Sequence, residues 1–136
     1  MSRPRFSIVT PVYDPPAWVL RETIASVVAQ TFGDWELILV DDASPSPHVV
    51  PILREAAAVD PRVKVLERAT NGGIIAASND GLAAATGEFI ALLDHDDLLE
   101  RRSLEVVDTY ARERPEMDYC YSDEDHLTPD GRYVNA

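Results

Sequence analysis

A chain of 136 residues, 46% hydrophobic and 26% charged, has the composition of one soluble globular domain with a buried core. No apolar stretch approaches the roughly 18 residues of a membrane span, and the lone Cys120 excludes an intrachain disulfide. The formal charge of -12 argues against non-specific nucleic-acid binding, which needs Lys and Arg to neutralise phosphates.

The amino terminus, Met1-Ser2-Arg3-Pro4-Arg5, leads into a strand without a signal-peptide apolar core, so a cytoplasmic location is the expectation. Residues 6–12 (FSIVTPV) read as a first strand, stopped by Pro11 and by Pro15-Pro16. Residues 17–31 place Val19 or Leu20, Ile24, Val27 and Val28 at helical spacing. Pro15 and Pro16 suit the start of that helix, whose first turn needs no proline N–H. Residues 35–40 (WELILV) form a second strand, followed by the turn-rich Asp41-Asp42-Ala43-Ser44-Pro45-Ser46-Pro47. A helix over 48–59 ends at Asp60-Pro61, and 63–67 is a short third strand. Asn71-Gly72-Gly73 opens an alanine-rich helix to about residue 85, capped by Gly87. A fourth strand over 88–93 precedes a helix over 101–114 with Leu104, Val107 and Tyr110 or Ala111 on one face. Residues 117–121 read as a fifth strand, and 122–136 as a polar, turn-like tail. Trp18 and Trp35 read as packing residues.

Strands alternating with helices of this length predict a three-layer α/β/α sandwich with a mostly parallel sheet. The strands over 35–40 and 88–93 are nearly continuous apolar runs, the pattern of a sheet centre. Both end in paired aspartates. Acids are also unevenly distributed: from residue 88 onwards 14 acids face 5 arginines, a net of -9, against -3 for the first 87 residues. Solvated helix faces account for most of these charges, but not for acids clustered at a strand end.

Loops that follow parallel strands meet at the carboxyl edge of the sheet, where open α/β folds bind ligands. Three such loops carry chemistry here: Thr10-Pro11-Val12-Tyr13-Asp14, Asp41-Asp42-Ala43-Ser44 and Asp94-His95-Asp96-Asp97. The ring of Tyr13 can stack on a nucleobase, and the carboxylate of Asp41 can accept its ring N–H. Asp94 and Asp96 are hard oxygen ligands for Mg2+ or Mn2+, which would lie over a diphosphate. Asp97 reads as a cap for the segment that follows, and His95 as the spacer between two ligands. Asn71-Gly72-Gly73, at a helix start, brings backbone N–H groups towards ligand oxygens.

These blocks, taken in order, resemble a family 2 glycosyltransferase. The resemblance is carried by Ser7-Ile8-Val9-Thr10-Pro11-Val12-Tyr13, Ser26-Val27-Val28-Ala29-Gln30-Thr31-Phe32 and the run from Trp35 to Ser44. It continues through Asn71-Gly72-Gly73-Ile74, Ser78-Asn79, Ala85-Thr86-Gly87-Glu88-Phe89-Ile90, Leu92-Leu93-Asp94-His95-Asp96-Asp97 and Tyr121-Ser122-Asp123-Glu124-Asp125. It implies a GT-A fold, here a single nucleotide-binding half truncated after about the fifth strand. The implied reaction transfers a sugar from a nucleotide-diphospho-sugar, a UDP- or dTDP-sugar, to an acceptor hydroxyl, with inversion and with Mg2+ or Mn2+. The implied acceptor is a glycan or lipid-linked molecule of cell-surface polysaccharide synthesis, with room for peripheral membrane association in a full-length parent. Carried over by position, Thr10, Pro11 and Tyr13 line the base pocket and Asp41 contacts the base. Asn71, Gly73 and Asn79 join the nucleotide-sugar site, Asp94 lies near ribose and metal, and Asp96 binds the metal.

Two departures qualify the resemblance. Family members hold the acceptor site and the acceptor-deprotonating carboxylate in about a hundred further residues, so the general base is expected beyond Ala136, with Asp123 and Asp125 as weak candidates. Many members carry a basic residue just before Asn79, where this chain has Ser78, and a phosphate contact is lost. A haloacid-dehalogenase-type phosphatase also places two such acids after a strand, but it needs a later lysine, and Lys64, the one lysine, precedes the motif. No G-x-x-x-x-G-K-[ST] loop occurs, which excludes a Walker-type NTPase. The rival outside enzymology is a nucleotide-binding module without turnover.

Overall fold

The structure, a computed structural model, describes residues 3–114, 126–127 and 133–134. β1 (Phe6–Val12), β2 (Trp35–Asp41), β3 (Val63–Glu67) and β4 (Phe89–Leu92) form one parallel sheet in the order β3-β2-β1-β4. They alternate with α1 (Ala17–Val28), α2 (Val49–Val59), α3 (Gly73–Ala84) and α4 (Ser103–Glu113). β5 (His126–Leu127) and β6 (Tyr133–Val134) form a separate antiparallel pair. The strand expected over 117–121 lies outside the described residues, as do Cys120, Asp123 and Asp125.

Alternation along the strands builds the two faces of the sheet. Phe6, Ile8, Val12, Leu37, Leu39 and Val63 pack against Leu20, Ile24 and Val27 of α1, Ile52 and Leu53 of α2, and Leu104 and Val107 of α4. Val9, Ile38 and Val40 face the other way and meet Ala77 of α3. The result is the expected α/β/α sandwich. α3 can approach this closely because of Gly81, where a Cβ would collide with Val9 Cγ1.

The sheet centre differs from the expectation. β1 and β2 are the inner strands, and β4 pairs only with β1 among the described residues. α3 sits over β1 and β2, so the outer face of β4 is left open, with Ile90 and Leu92 exposed. An apolar run specifies what a strand tolerates, not which helix covers it. Trp18, read as packing, is likewise exposed, whereas Trp35 is buried beneath the Arg62 guanidinium at 3.8 Å.

Two helices end earlier than their periodicity suggested. α1 stops at Val28 because Gln30 and Thr31 turn to bond Glu100 O and Arg101 O. Gly87 does not cap α3, which ends at Ala84. Instead its N–H donates to Ser7 Oγ at 2.7 Å, and a Cβ there would lie 2.7 Å from Ser7 N. Beside it the buried Glu36 accepts bonds from Ser7 Oγ (2.5 Å), Thr86 N (2.7 Å) and Lys64 Nζ (3.2 Å). Burial pushes the Glu36 carboxyl up, but these donors together hold it below its ordinary value.

Candidate functional site

Registry brings the loops together. Val12 lies opposite Asp41, so β1 and β2 end side by side, and Leu93 N donates to Val9 O at 3.0 Å as the chain leaves β4. The loops after β1 and β2 are then cross-linked. Asp14 N donates to Ser44 Oγ (2.9 Å), Ser46 N to Asp14 Oδ1 (3.0 Å), and Ser44 N to Asp41 Oδ1 (3.2 Å). Asp14 and Ala43 adopt left-handed φ of 53° and 60°, a conformation unfavourable for alanine that the surrounding bonds hold in place.

Asp42 is the hub of the second loop. Its Oδ1 accepts Arg68 Nε and Gly72 N, both at 2.9 Å; its Oδ2 accepts Gly73 N at 2.8 Å and Asn71 Nδ2 at 3.1 Å. Arg68 also pairs with Asp80 of α3. Burial alone would raise the Asp42 carboxyl, yet the Gly72 and Gly73 N–H groups and the Arg68 guanidinium hold it below the ordinary carboxylate value. The N–H groups at the start of α3, expected to face ligand oxygens, are therefore already given to an internal carboxylate.

The Asp94–Asp97 segment is suspended from α1. Thr23 Oγ1 donates to His95 O (2.9 Å), Ser26 Oγ accepts Leu99 N (3.0 Å), and Gln30 bonds both Glu100 O (2.6 Å) and Leu104 N (3.1 Å). Three polar side chains at helical spacing thus hold the acidic loop and the start of α4. Sequence reasoning missed them, although Thr23 and Gln30 stand out as polar residues among the apolar positions of α1 and of the turn that follows it. His95 Nδ1 accepts the Tyr13 N–H at 3.1 Å and ties the acidic loop to the one after β1. Asp94, Asp96 and Asp97 each offer a carboxylate oxygen, and these lie within 4.8 Å of one another. Three hard oxygens so grouped suit a divalent cation, and Asp97 falls in this group rather than serving only as a cap.

The loops enclose a cavity of about 510 Å³. Pro11, Val12 and Tyr13 line it from β1; Asn71, Gly73, Ile74 and Ala77 from the α3 side; Asp42, Asp94, His95 and Asp96 supply the remaining polar wall. No Lys or Arg is among these lining residues. Of the expected site residues, Pro11, Tyr13, Asn71, Gly73, Asp94 and Asp96 meet here. Three do not line it. Thr10 is fully buried, with its hydroxyl unpaired among the described residues. Asp41 is buried and holds Ser44 N, while its neighbour Asp42 reaches the wall. Asn79 is exposed beyond the first turns of α3.

The family model described as "Glycosyl transferase family 2" matches residues 7–132. This chain belongs to glycosyl transferase family 2. It is 43% identical over 129 residues to the O-antigen biosynthesis protein RfbC of Myxococcus xanthus, covering 95% of this chain and 10% of RfbC. It is 33% identical over 112 residues to the putative teichuronic acid biosynthesis glycosyltransferase TuaG of Bacillus subtilis, covering 82% of this chain and 44% of TuaG. The chain thus spans a minor part of these relatives. Among solved structures, S. aureus TarS 1-349 in complex with UDP superposes with a TM-score of 0.74 at 27% identity, over 82% of this chain and 33% of that one. The mannosyltransferase PcManGT of Pyrobaculum calidifontis, in complex with GDP-Man and Mn2+, gives 0.71 at 26% identity, over 81% and 33%. The fold is of the GT-A type that these glycosyltransferases share.

Proposed function

We propose that this family 2 domain is the nucleotide-binding half of a GT-A glycosyltransferase, taking a nucleotide-diphospho-sugar and passing its sugar, with inversion, to the hydroxyl of a glycan or lipid-linked acceptor. The observation that carries this reading is one cavity shared by Tyr13 and the carboxylates of Asp94 and Asp96, with no cationic side chain in its lining. A diphosphate cannot lie against three carboxylates unless a cation accompanies it. The donor set fits Mg2+ or Mn2+, held by Asp94 and Asp96 with Asp97 within reach. When bound, such an ion neutralises charge on the departing diphosphate. The chain's own residues shape the pocket: Tyr13 offers its ring to the base, and Asp42 fixes Gly73 and Asn71 in the wall. The names of RfbC and TuaG support a place in cell-surface polysaccharide synthesis, and the UDP complex of TarS supports a uridine donor. Among the described residues no helix is long and apolar enough to cross a membrane.

Calorimetric titration with UDP, dTDP and GDP, in Mn2+ and in EDTA, tests this. UDP is expected to bind in Mn2+ and to weaken at least tenfold on Asp96→Ala, as loss of a metal ligand demands. Equal affinity in EDTA would sink the metal role.

A second reading has its own support. Asp42 is saturated by four N–H donors, and Asp94 and Asp96 would be taken up by the proposed cation. No carboxylate among the described lining residues is left to take a proton from an acceptor. A module that binds nucleotide without turnover of its own fits that fact. Product analysis with UDP-sugars separates the two: glycosyl transfer by this chain excludes the module, and binding without product supports it.

A further inference from the structure

Within the cavity, His95 is held in one defined way. A backbone N–H can only donate, so the 3.1 Å bond from Tyr13 N makes His95 Nδ1 the acceptor and leaves the ring proton on Nε2. The backbone of the same residue is fixed by Thr23 Oγ1 at its carbonyl. Nε2 has no protein partner among the described residues, although the residue lines the cavity. Tyr13 apart, the other polar side chains of the wall are either spent or unable to donate. Asn71 Nδ2 bonds both the carbonyl and the carboxylate of Asp42, at 3.2 and 3.1 Å, and Asp42, Asp94 and Asp96 only accept. Besides the Tyr13 hydroxyl, the His95 ring N–H is the uncommitted side-chain donor in a cavity without Lys or Arg.

We propose that His95 is a ligand-binding residue that Tyr13 orients: its Nδ1 is held by the Tyr13 N–H, and its Nε2–H is presented to an oxygen of the nucleotide's diphosphate. The assignment rests on the nucleotide reading above. It gives a cavity without Lys or Arg a neutral donor beside the acidic loop. It also couples the two loops. The same ring that meets the diphosphate fixes the backbone of Tyr13, so displacement of either loop alters both contacts.

Two variants separate the functions of the ring. In His95→Asn the amide oxygen takes the place of Nδ1 and still accepts the Tyr13 N–H, while its NH2 stands where the ring Cδ2 was and stops short of the position of Nε2–H. In His95→Phe both are lost. Calorimetry in Mn2+ with UDP and with uridine reads the difference. His95→Asn is expected to weaken UDP about fivefold to tenfold, the effect of one hydrogen bond to a charged group, and to leave uridine within about twofold. His95→Phe is expected to weaken both and to speed hydrogen exchange at the Tyr13 amide. Long-range proton–nitrogen NMR of the parent chain is expected to show the Nε2–H tautomer at the resonance that His95→Asn removes. Parent affinity for UDP in His95→Asn overturns the proposal, as does equal weakening of uridine and UDP or an Nδ1–H tautomer. If the parent binds UDP, such a failure belongs to His95 alone. A parent that binds no nucleotide overturns the wider reading, and the ligand role of His95 with it.

Discussion

At the residue scale, the difference between Asp41 and Asp42 shows how a site is decided by one step along a strand. Successive side chains point to opposite faces, and β2 runs to Asp41 rather than stopping at Val40. Asp41 therefore turns into the loop beneath Ser44, and Asp42 takes four N–H donors at the cavity wall. The sequence reading identified a carboxylate after this strand but had no means of fixing the phase of the last residue. The same alternation sets Thr10 on the face of Ile8 and Val12, where it is fully buried, and turns its neighbours Val9 and Pro11 the other way. Asp42→Asn tests the hub. Its amide would set an N–H donor against Gly73 N or Gly72 N and leave Arg68 without its buried partner. A loss of about 2–3 kcal/mol is expected, read from urea unfolding, with UDP affinity falling because Gly73 is no longer held. An unchanged unfolding midpoint would remove Asp42 from this role.

At the element scale, the order of strands and helices through α4 was legible because each carries its own period: alternating or continuous apolar runs for strands, and threefold or fourfold spacing for helices. What was not legible depends on contacts between elements. The polar stripe Thr23, Ser26 and Gln30 has meaning only once the acidic loop lies across α1. The open face of β4 follows from where α3 settles, and that position is set in part by Gly81. Gly81→Ala would gain about 1 kcal/mol of helix propensity while forcing a methyl into Val9, a fixed β-branched side chain with nowhere to retreat. The clash should win by about 1–2 kcal/mol, lowering the thermal midpoint. Because α3 begins at the cavity, its displacement should also weaken nucleotide binding. A variant as stable as the parent would show that α3 can shift without cost.

At the scale of the whole molecule, the acidic balance and the buried carboxylates act in opposite directions as pH falls. Asp42 and Asp60 lie below their ordinary 3.8, and Glu36 below 4.5, through the donors that each has acquired on folding. A carboxyl depressed in the folded state contributes fully above its unfolded value, and that contribution is lost as pH falls through the folded one. Protonation also relieves the mutual repulsion of a chain at -12. Exposed charges are screened, however, and buried pairs are not, so the carboxyls should dominate. Urea midpoints are expected to hold from neutrality to about pH 5 and to fall below about pH 4, less steeply in Asp42→Asn. Rising stability below pH 4 would mean that repulsion dominates. The cavity without a lysine or arginine also has a consequence for the speed of encounter. A free nucleotide diffuses towards a wall of its own sign, so salt should ease its approach rather than hinder it. Stopped-flow mixing with UDP at limiting Mn2+ should show an association rate that climbs with ionic strength, and saturating Mn2+ should flatten that slope. A rate that fell with salt would mean that a cationic surface elsewhere on the chain guides the ligand in.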